Sequence, residues 1–487
     1  MYKRHSSQMS LFDEPELFGT LPLDPKNEWV RLSKIIPWAE FEFRYEDHFK
    51  SGTGQPAVPA RMALGSLLIK EDYQCSDERV TAEIAMNPYL QYFIGLEKFQ
   101  YSSPFDASMM TRFRQRITPE MLDWVNDRIT GRGDSGGTPP SDRGSGTEEA
   151  GEADEGEKNE GTLILDATCA PQNIRFPTDE SLLNEARENA EEIIDLLHAA
   201  GMTDGKKPRT YRENARKRHN AFSKNRKKTK KLIRKAIRQQ LGFLRRDLEA
   251  IQKIEDKHPG GLEAALPKRK LERLHVIRTL YAQQLEMFQN KTHQVADRIV
   301  SLHQPWVRPI VRGKQNADVE FGAKVEMSVV NGFLRVEDLR WDAFNEGTTL
   351  QASVESFRAA YGHDPKRILA DTIFRTRENL RYCKEHHIHL SGPRLGKPPA
   401  DPALYREQRK QEWLESGERG EIERNLGVGK RRYSLGCIVT KLRHTSEVAV
   451  RVVVLTMNLR KRLRLLLRLL WNLLYPEICR TGTVFFA

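Results

Sequence analysis

The spacing of apolar positions changes several times along this chain, and each change marks a new element. Up to about residue 130 the pattern is one of short helical repeats interrupted by proline. Pro59 can open a helix ahead of Met62, Leu64, Leu67, Leu68 and Ile69, and Ser76 can cap a second that stops at Asn87-Pro88. A third carries Met109, Met110, Phe113 and Ile117, with Arg112, Arg114 and Arg116 on its wetter sides, and Thr118-Pro119 opens a fourth. From Gly131 to Gly161 no large apolar side chain occurs, so the segment cannot bury enough surface to offset its ordering entropy and is expected to be a disordered acidic linker. Strand character begins at Thr162-Leu163-Ile164-Leu165, a short apolar run that ends in Asp166.

Helical periodicity resumes at Thr178-Asp179, with Leu182, Leu183, Ala186, Ala190, Ile193, Ile194 and Leu197 along one stripe and Gly201 closing it. It continues through Leu241, Leu244, Leu248 and Ile251, then through Leu271, Leu274, Ile277, Leu280 and Leu285, which makes 201–304 an all-helical segment. Gly322 to Val330 and Phe333 to Leu339 read as strands joined by Asn331-Gly332, the residue pair that suits a two-residue hairpin. A helix from Leu350 to Tyr361, a strand at Ile368 to Ala370, a helix from Phe374 to Glu385 and a short strand at Ile388 to Leu390 follow. Near the end, Val448 to Leu455 is expected to be a strand and Met457 to Tyr475 a Leu-rich helix.

Charge adds a partner to this picture. The 487 residues carry a formal net charge of +12, which points to a polyanion. Lys206 to Arg238 concentrates it, with sixteen Lys or Arg against a single acid, Glu213; so many cations repel one another unless an anion lies among them. Five cysteines, Cys75, Cys169, Cys383, Cys437 and Cys479, form no CxxC pair, which suits a reducing compartment and neither a disulfide framework nor a zinc ribbon. Met1 to Ser10 lacks the apolar core of a signal peptide. Arg460, Lys461, Arg462, Arg464 and Arg468 argue against a membrane span in the last helix.

The candidate chemistry is acidic. Asp166 and Asp371 each end a short apolar run, Leu163 to Leu165 and Ile368 to Ala370. If the stretch from Arg419 to Tyr433 is helix, Arg419, Glu423 and Lys430 fall at i, i+4 and i+11, within about 40° of one another at roughly 100° per residue. One face then carries a cation, a carboxylate and a cation, with Glu421 opposite. Other clusters have plainer readings. Cys383, His386, His387 and His389 lack zinc spacing, Asp342 and Glu346 suit a turn before a helix N-terminus, and Trp306 and Trp341 suit core packing.

With these residues the chain resembles an insertion-sequence transposase of the DDE type, in the bacterial group whose third acid sits in a Y-(2)-R-(3)-E-(6)-K signature. Arg419, Glu423 and Lys430 match that spacing, and Ser416 stands where the Tyr would be. Asp166-Ala167-Thr168, Pro177-Thr178-Asp179, Arg312-Gly313-Lys314, Glu320-Phe321-Gly322-Ala323-Lys324 and Lys430-Arg431-Arg432-Tyr433 extend the likeness over most of Tyr45 to Leu459. The resemblance implies an α/β fold class, an RNase H-like mixed-sheet catalytic domain with an N-terminal helical domain and a large all-helical insertion. Its parts would be 1–130, helical and binding DNA ends; 131–160, the linker; 161–200 and 305–445, the catalytic domain; 201–304, the basic insertion; and 446–487, a strand and basic helix. In such a sheet the first and fourth strands lie side by side, which would join Asp166 and Asp371 across 205 positions of sequence.

The same resemblance implies a transposase that binds terminal inverted repeats and carries out metal-dependent cleavage and strand transfer. Asp166, Asp371 and Glu423 would be its catalytic metal ligands for two Mg²⁺ ions, with Mn²⁺ as a substitute. Arg419, Lys430, Arg431 and Arg432 would grip DNA, together with Arg112, Arg114 and Arg116 and with Lys227, Lys228, Lys230 and Lys231 of the basic run. Double-stranded DNA at the element ends and at the target would be the partner, a homodimer the DNA-bound form, and the cytoplasmic nucleoid the location, with no membrane. Two rival classes remain in view: a DNA-binding relative without catalysis, and a basic scaffold on RNA or a membrane surface, the latter resting on the basic run and the last helix.

Overall fold

The computed structural model of the protein describes residues 17–18, 21–47, 49, 57–132, 159–314, 317–393, 396 and 401–474. The expected linker falls on 131–160, of which 133–158 lie outside the described residues. Two compact units result: 1–171 with 324–340 and 344–487, and 172–323 with 341–343.

The first unit opens with a small hairpin, β1 (Leu17–Phe18) and β2 (Leu21–Pro22), and a helical array. Its helices are α1 (Glu28–Ser33), α2 (Trp38–Glu46), α3 (Ala60–Tyr73), α4 (Asp77–Met86), α5 (Pro88–Phe93), α6 (Met109–Arg116) and α7 (Pro119–Thr130). Local chemistry sets their limits. The Ser76 side chain accepts from the Arg79 N–H to cap α4, Asn87 and Thr118 cap α5 and α7 ahead of a first-turn proline, and left-handed Gly131 ends α7. Strand β3 (Thr162–Pro171) follows. It runs past Asp166, so that residue lies within the strand rather than at its end.

The second unit contains α8 (Asp179–Ala199), α9 (Arg212–Ser223), α10 (Lys230–Lys257), α11 (Gly261–Ala265), α12 (Lys268–Asn290) and β4 (Arg308–Lys314). Apolar stripes of α8, α10 and α12 meet in a core that includes Leu183, Ile193, Leu197, Leu244, Ile251, Ile277 and Leu280. Strand β5 (Ala317–Val330) begins here, antiparallel to β4 from Arg308 opposite Gly322 to Lys314 opposite Ala317. The strand β4 was not expected from the apolar pattern.

The last part of β5 belongs to the first unit. Asn331 and Gly332 turn with φ of 52° and 79°, the doubly positive pair a tight hairpin requires, and the chain returns as β6 (Phe333–Arg340). A 3₁₀ turn at Glu346–Thr348, α13 (Leu350–Tyr361), β7 (Arg367–Leu369), a 3₁₀ turn at Thr372–Phe374, α14 (Arg377–Glu385) and β8 (His389–Leu390) come next. Two long helices finish the chain, α15 (Pro402–Arg432) and α16 (Arg443–Leu474). The mixed sheet has the order β4-β5-β3-β7-β8, with β6 on β5. Strands β3 and β7 are therefore neighbours, and they run parallel.

Helix α16 overturns one expectation: Val448 to Leu455 is helix, not strand. The run is rich in β-branched residues because it is buried on most sides, and a short apolar run of that kind has no period that tells a strand from a buried helix. Val448, Val452, Leu455, Leu459 and Leu463 complete the core of the N-terminal helices, beside Phe41, Leu64, Leu68, Phe93 and Phe113. Buried Asn458 secures the helix to the sheet by donating to the Leu334 carbonyl at 2.7 Å and accepting from the Leu334 N–H at 3.0 Å. Arg335 bridges Asp127 of α7 and Glu337 of β6, each at 2.9 Å. The apolar side of α16 is turned into this core as far as Leu463, while Leu466, Leu469 and Trp471 further along are exposed. No helix among the described residues is long and apolar enough to cross a membrane.

Candidate active site

The site grows from the pairing of β3 with β7. Thr162 stands opposite Arg367, Leu163 opposite Ile368 and Ile164 opposite Leu369. At that offset the two strands lead towards Asp166, within β3, and Asp371, two residues past the end of β7. The Thr162 and Arg367 side chains share one face of the pair and touch at 2.7 Å. Arg367 also pairs with Glu418 at 2.6 Å, which lays α15 over that face. The opposite face carries Leu163, Leu165, Ile368 and Ala370 into an apolar core with Val354 and Phe357 of α13. The sheet thus packs one face on the α13 core and the other, which also carries buried Ile164 and Leu369, under α15.

Each of the three acids has a definite setting. Asp166 is half-buried and accepts from the Ala167 N–H at 2.8 Å. Its carboxyl pKa is pushed up to about 6, chiefly by burial; the Ala167 N–H and Arg419 work against the rise, and the charges of Glu346 and Glu423 add to it. Asp371 is exposed and caps the Thr372–Phe374 turn, accepting from the Thr372 N–H at 2.6 Å. Glu423 is exposed on α15 and is held by Arg419 at 2.9 Å, as the i, i+4 spacing suggests. Lys430 lies two turns further along α15, about 10 Å by the helical rise, and lines a cleft of about 840 Å³ with Lys70, Glu71, Arg114, Tyr433 and Lys441.

In the sequence Glu346 reads as a turn acid. It does begin a 3₁₀ turn, capped by Asn345, yet its charge is felt at Asp166. Lys324, inside the Glu320 to Lys324 block, pairs with Glu346 at 2.9 Å and donates to the Phe344 carbonyl at 2.7 Å. The one signal in the sequence was Gly347 directly after the acid: a Cβ there would come within 2.8 Å of the Ile373 carbonyl, so only glycine allows the two turns to meet.

The basic residues divide by setting. Arg114 is tied to Asp77 at 2.9 Å, Arg116 lies over the Phe49 ring at 5.1 Å, and Arg112 is exposed. Arg431 and Arg432 are exposed at the end of α15. In the second unit Lys227, Lys228, Lys230 and Lys231 are all exposed, the last two in the first turn of α10, where the helix dipole disfavours cations. The His386 ring meets the Asp364 carboxylate at 3.0 Å and the His389 ring meets Glu415 at 2.7 Å.

Residues 21–116 match the family described as Transposase domain (DUF772), and residues 368–460 match the family described as Transposase DDE domain. Together these support an insertion-sequence DDE transposase. A stretch of 101 residues is 39% identical to a Rhizobium meliloti protein, "Uncharacterized protein ORF8 in nfe locus"; it covers 21% of this chain and 48% of that protein. The chain thus spans about half the length of the curated relative it matches. No solved structure matches. The second family segment contains Asp371, Glu423, Arg419 and Lys430, and the first contains α3, α4 and α6.

Divalent cations are the cofactor a DDE transposase implies. Among the described residues no group of three or more His, Cys, Asp or Glu side chains is gathered so as to hold one. Asp371 is engaged in its own cap and Glu423 with Arg419. In kind the donors fit a hard cation: all are carboxylate oxygens, and the half-buried Asp166 faces two further negative charges that such a cation would offset.

Proposed function

We propose that this chain is the transposase of an insertion sequence, which binds the terminal inverted repeats and catalyses metal-dependent DNA cleavage and strand transfer on an RNase H-like catalytic domain. The observation that supports the reading is the parallel pairing of β3 with β7, the strands that lead to Asp166 and Asp371, beneath the helix that bears Glu423. Asp166, Asp371 and Glu423 would hold the cation. Two Mg²⁺ ions, or Mn²⁺ in their place, would supply activation of a water or 3′-hydroxyl and stabilisation of the leaving oxygen of a phosphodiester.

The chain's own residues do the rest. Burial keeps Asp166 on the verge of protonation near pH 6, so it is an acceptor poised for a positive charge rather than a solvated surface acid. Arg419 holds Glu423 in place and exchanges that partner for a phosphate when DNA arrives. Lys430, Arg431 and Arg432 continue the grip along α15, away from the acids. The N-terminal helices recognise the element end, and the exposed cations from Lys206 to Arg238 add affinity that depends on salt and not on base sequence. The proposed DNA-bound form is a homodimer, working at the nucleoid.

The purified full-length protein tests this with a duplex that carries the inverted repeat flanking its gene. Mg²⁺-dependent nicking at the repeat boundary, absent with EDTA and absent from a scrambled duplex, is expected. Equal nicking of both duplexes, or none of either despite binding, would refute it.

A further inference from the structure

The turn that Asp371 caps meets a second turn, and that one carries an acid outside the three already assigned. Asn379, 2% exposed, donates to the Gly347 carbonyl at 2.7 Å and to the Phe374 carbonyl at 2.9 Å. It thereby fastens the Glu346–Thr348 turn to the Thr372–Phe374 turn, which Asp371 caps. Gly347 permits the close approach, since any side chain there would strike the Ile373 carbonyl. Glu346 is held in turn by Lys324, and both side chains are largely covered, at 18% and 14% exposed. The Lys324 ammonium also lies over the Phe344 ring at 4.8 Å and bonds the Phe344 carbonyl. A surface ion pair needs none of this support, whereas a side chain that has to hold a fixed place beside other ligands does.

We propose that Glu346 is a positioning residue of the acidic site, clamped to the Asp371 turn by Asn379 and balanced by Lys324, and that it strengthens the hold of Asp166 and Asp371 on a divalent cation. The inference rests on the function proposed above. Lys324 is then a resident counter-ion, neutralising Glu346 while the site is empty of metal and giving way when a cation arrives. Removing the acid and removing its partner should therefore act in opposite directions. A purely structural pair would instead lose from either change alike.

The test is Mn²⁺ binding to the full-length protein, read from the electron paramagnetic resonance signal of free Mn²⁺ and checked by calorimetry, with thermal unfolding alongside. Glu346→Gln is expected to weaken Mn²⁺ binding about 10- to 100-fold, the range seen when the support of a metal ligand is removed, with Tm nearly unchanged. Lys324→Met is expected to tighten binding several-fold. Wild-type affinity in Glu346→Gln, or equal losses of affinity and Tm in both variants, would overturn the proposal. Asp166→Asn separates the two levels: if it too binds Mn²⁺ like wild type, the reading of the site itself fails, whereas weak binding in Asp166→Asn alone removes only Glu346.

Discussion

Cutting the chain after Arg132 should yield a fragment that does not fold. The N-terminal helices look like a separate module in sequence, yet their core is closed by Val448, Val452, Leu455, Leu459 and Leu463 of α16, more than three hundred residues away. Each such side chain, fully buried, contributes about 1.5 to 3 kcal/mol, so the five together contribute roughly 8 to 15 kcal/mol before any correction for a compact unfolded state. That equals the whole stability of a typical domain, about 5 to 15 kcal/mol. The ties of Asn458 to Asn126 at 2.7 Å, of Arg460 to Asp72 at 2.7 Å and of Arg451 to Asp123 at 2.9 Å would go as well. Circular dichroism and amide exchange on residues 17–132 are expected to show no cooperative unfolding, and a fusion of 17–132 to 443–474 through a flexible linker is expected to restore it. In the full chain, Leu455→Ala should cost about 2 to 5 kcal/mol. A 17–132 fragment that unfolds cooperatively by itself would refute the reasoning and return end recognition to an autonomous module.

Other expectations follow from single features. Asp166 has a folded pKa near 6 against 3.8 in an unstructured chain, so the folded state favours its proton: the cost of ionisation is absent below pH 3.8, grows between pH 3.8 and 6 and is complete above. Without divalent cations, Asp166→Asn should therefore raise Tm at pH 7.5, by the equivalent of about 1 to 2 kcal/mol after allowance for partial exposure, and give no gain at pH 4; a mutant equally or less stable at pH 7.5 would contradict this. Lys430→Met should lower cleavage of bound element ends about 10² to 10³-fold while leaving their affinity within a few-fold, and normal cleavage would remove Lys430 from the reaction. Neutralising Lys227, Lys228, Lys230 and Lys231 together should flatten the slope of log K against log salt by roughly 3 to 4 units, and an unchanged slope would mean these cations do not meet phosphate.

Much of the sheet is legible in the sequence because its signals are local. The hairpin follows from Asn331-Gly332, β3 and β7 from isolated apolar runs, and α4, α5 and α7 from their caps. What escapes local reading depends on distant partners. The Val448 to Leu455 run becomes helix because it is enclosed by helices from the other end of the chain, and β-branched residues then signal burial rather than strand. Arg114 and Arg116 look like wet cations on α6 until Asp77 and Phe49 are found beside them. Glu346 looks like a turn acid because its neighbours, Asp166, Lys324 and the Asp371 turn, come from three separate elements. The resemblance to transposases named Asp166, Asp371 and Glu423 together; the structure adds the offset of β3 against β7 and the Arg367 to Glu418 contact, neither of which a linear pattern contains.

The central claim is that Asp166, Asp371 and Glu423 form one cation-dependent centre acting on DNA. It is tested most directly by comparing Asp166→Asn, Asp371→Asn and Glu423→Gln in full-length protein on the same end-carrying duplex, with binding measured by gel shift and cleavage by strand separation in Mg²⁺. The expected result is wild-type binding in all three and loss of cleavage in each by at least a thousandfold, on the order of the largest effects of removing a group that stabilises developing charge. Cleavage at the normal rate by any one of the three, with its binding intact, would contradict it.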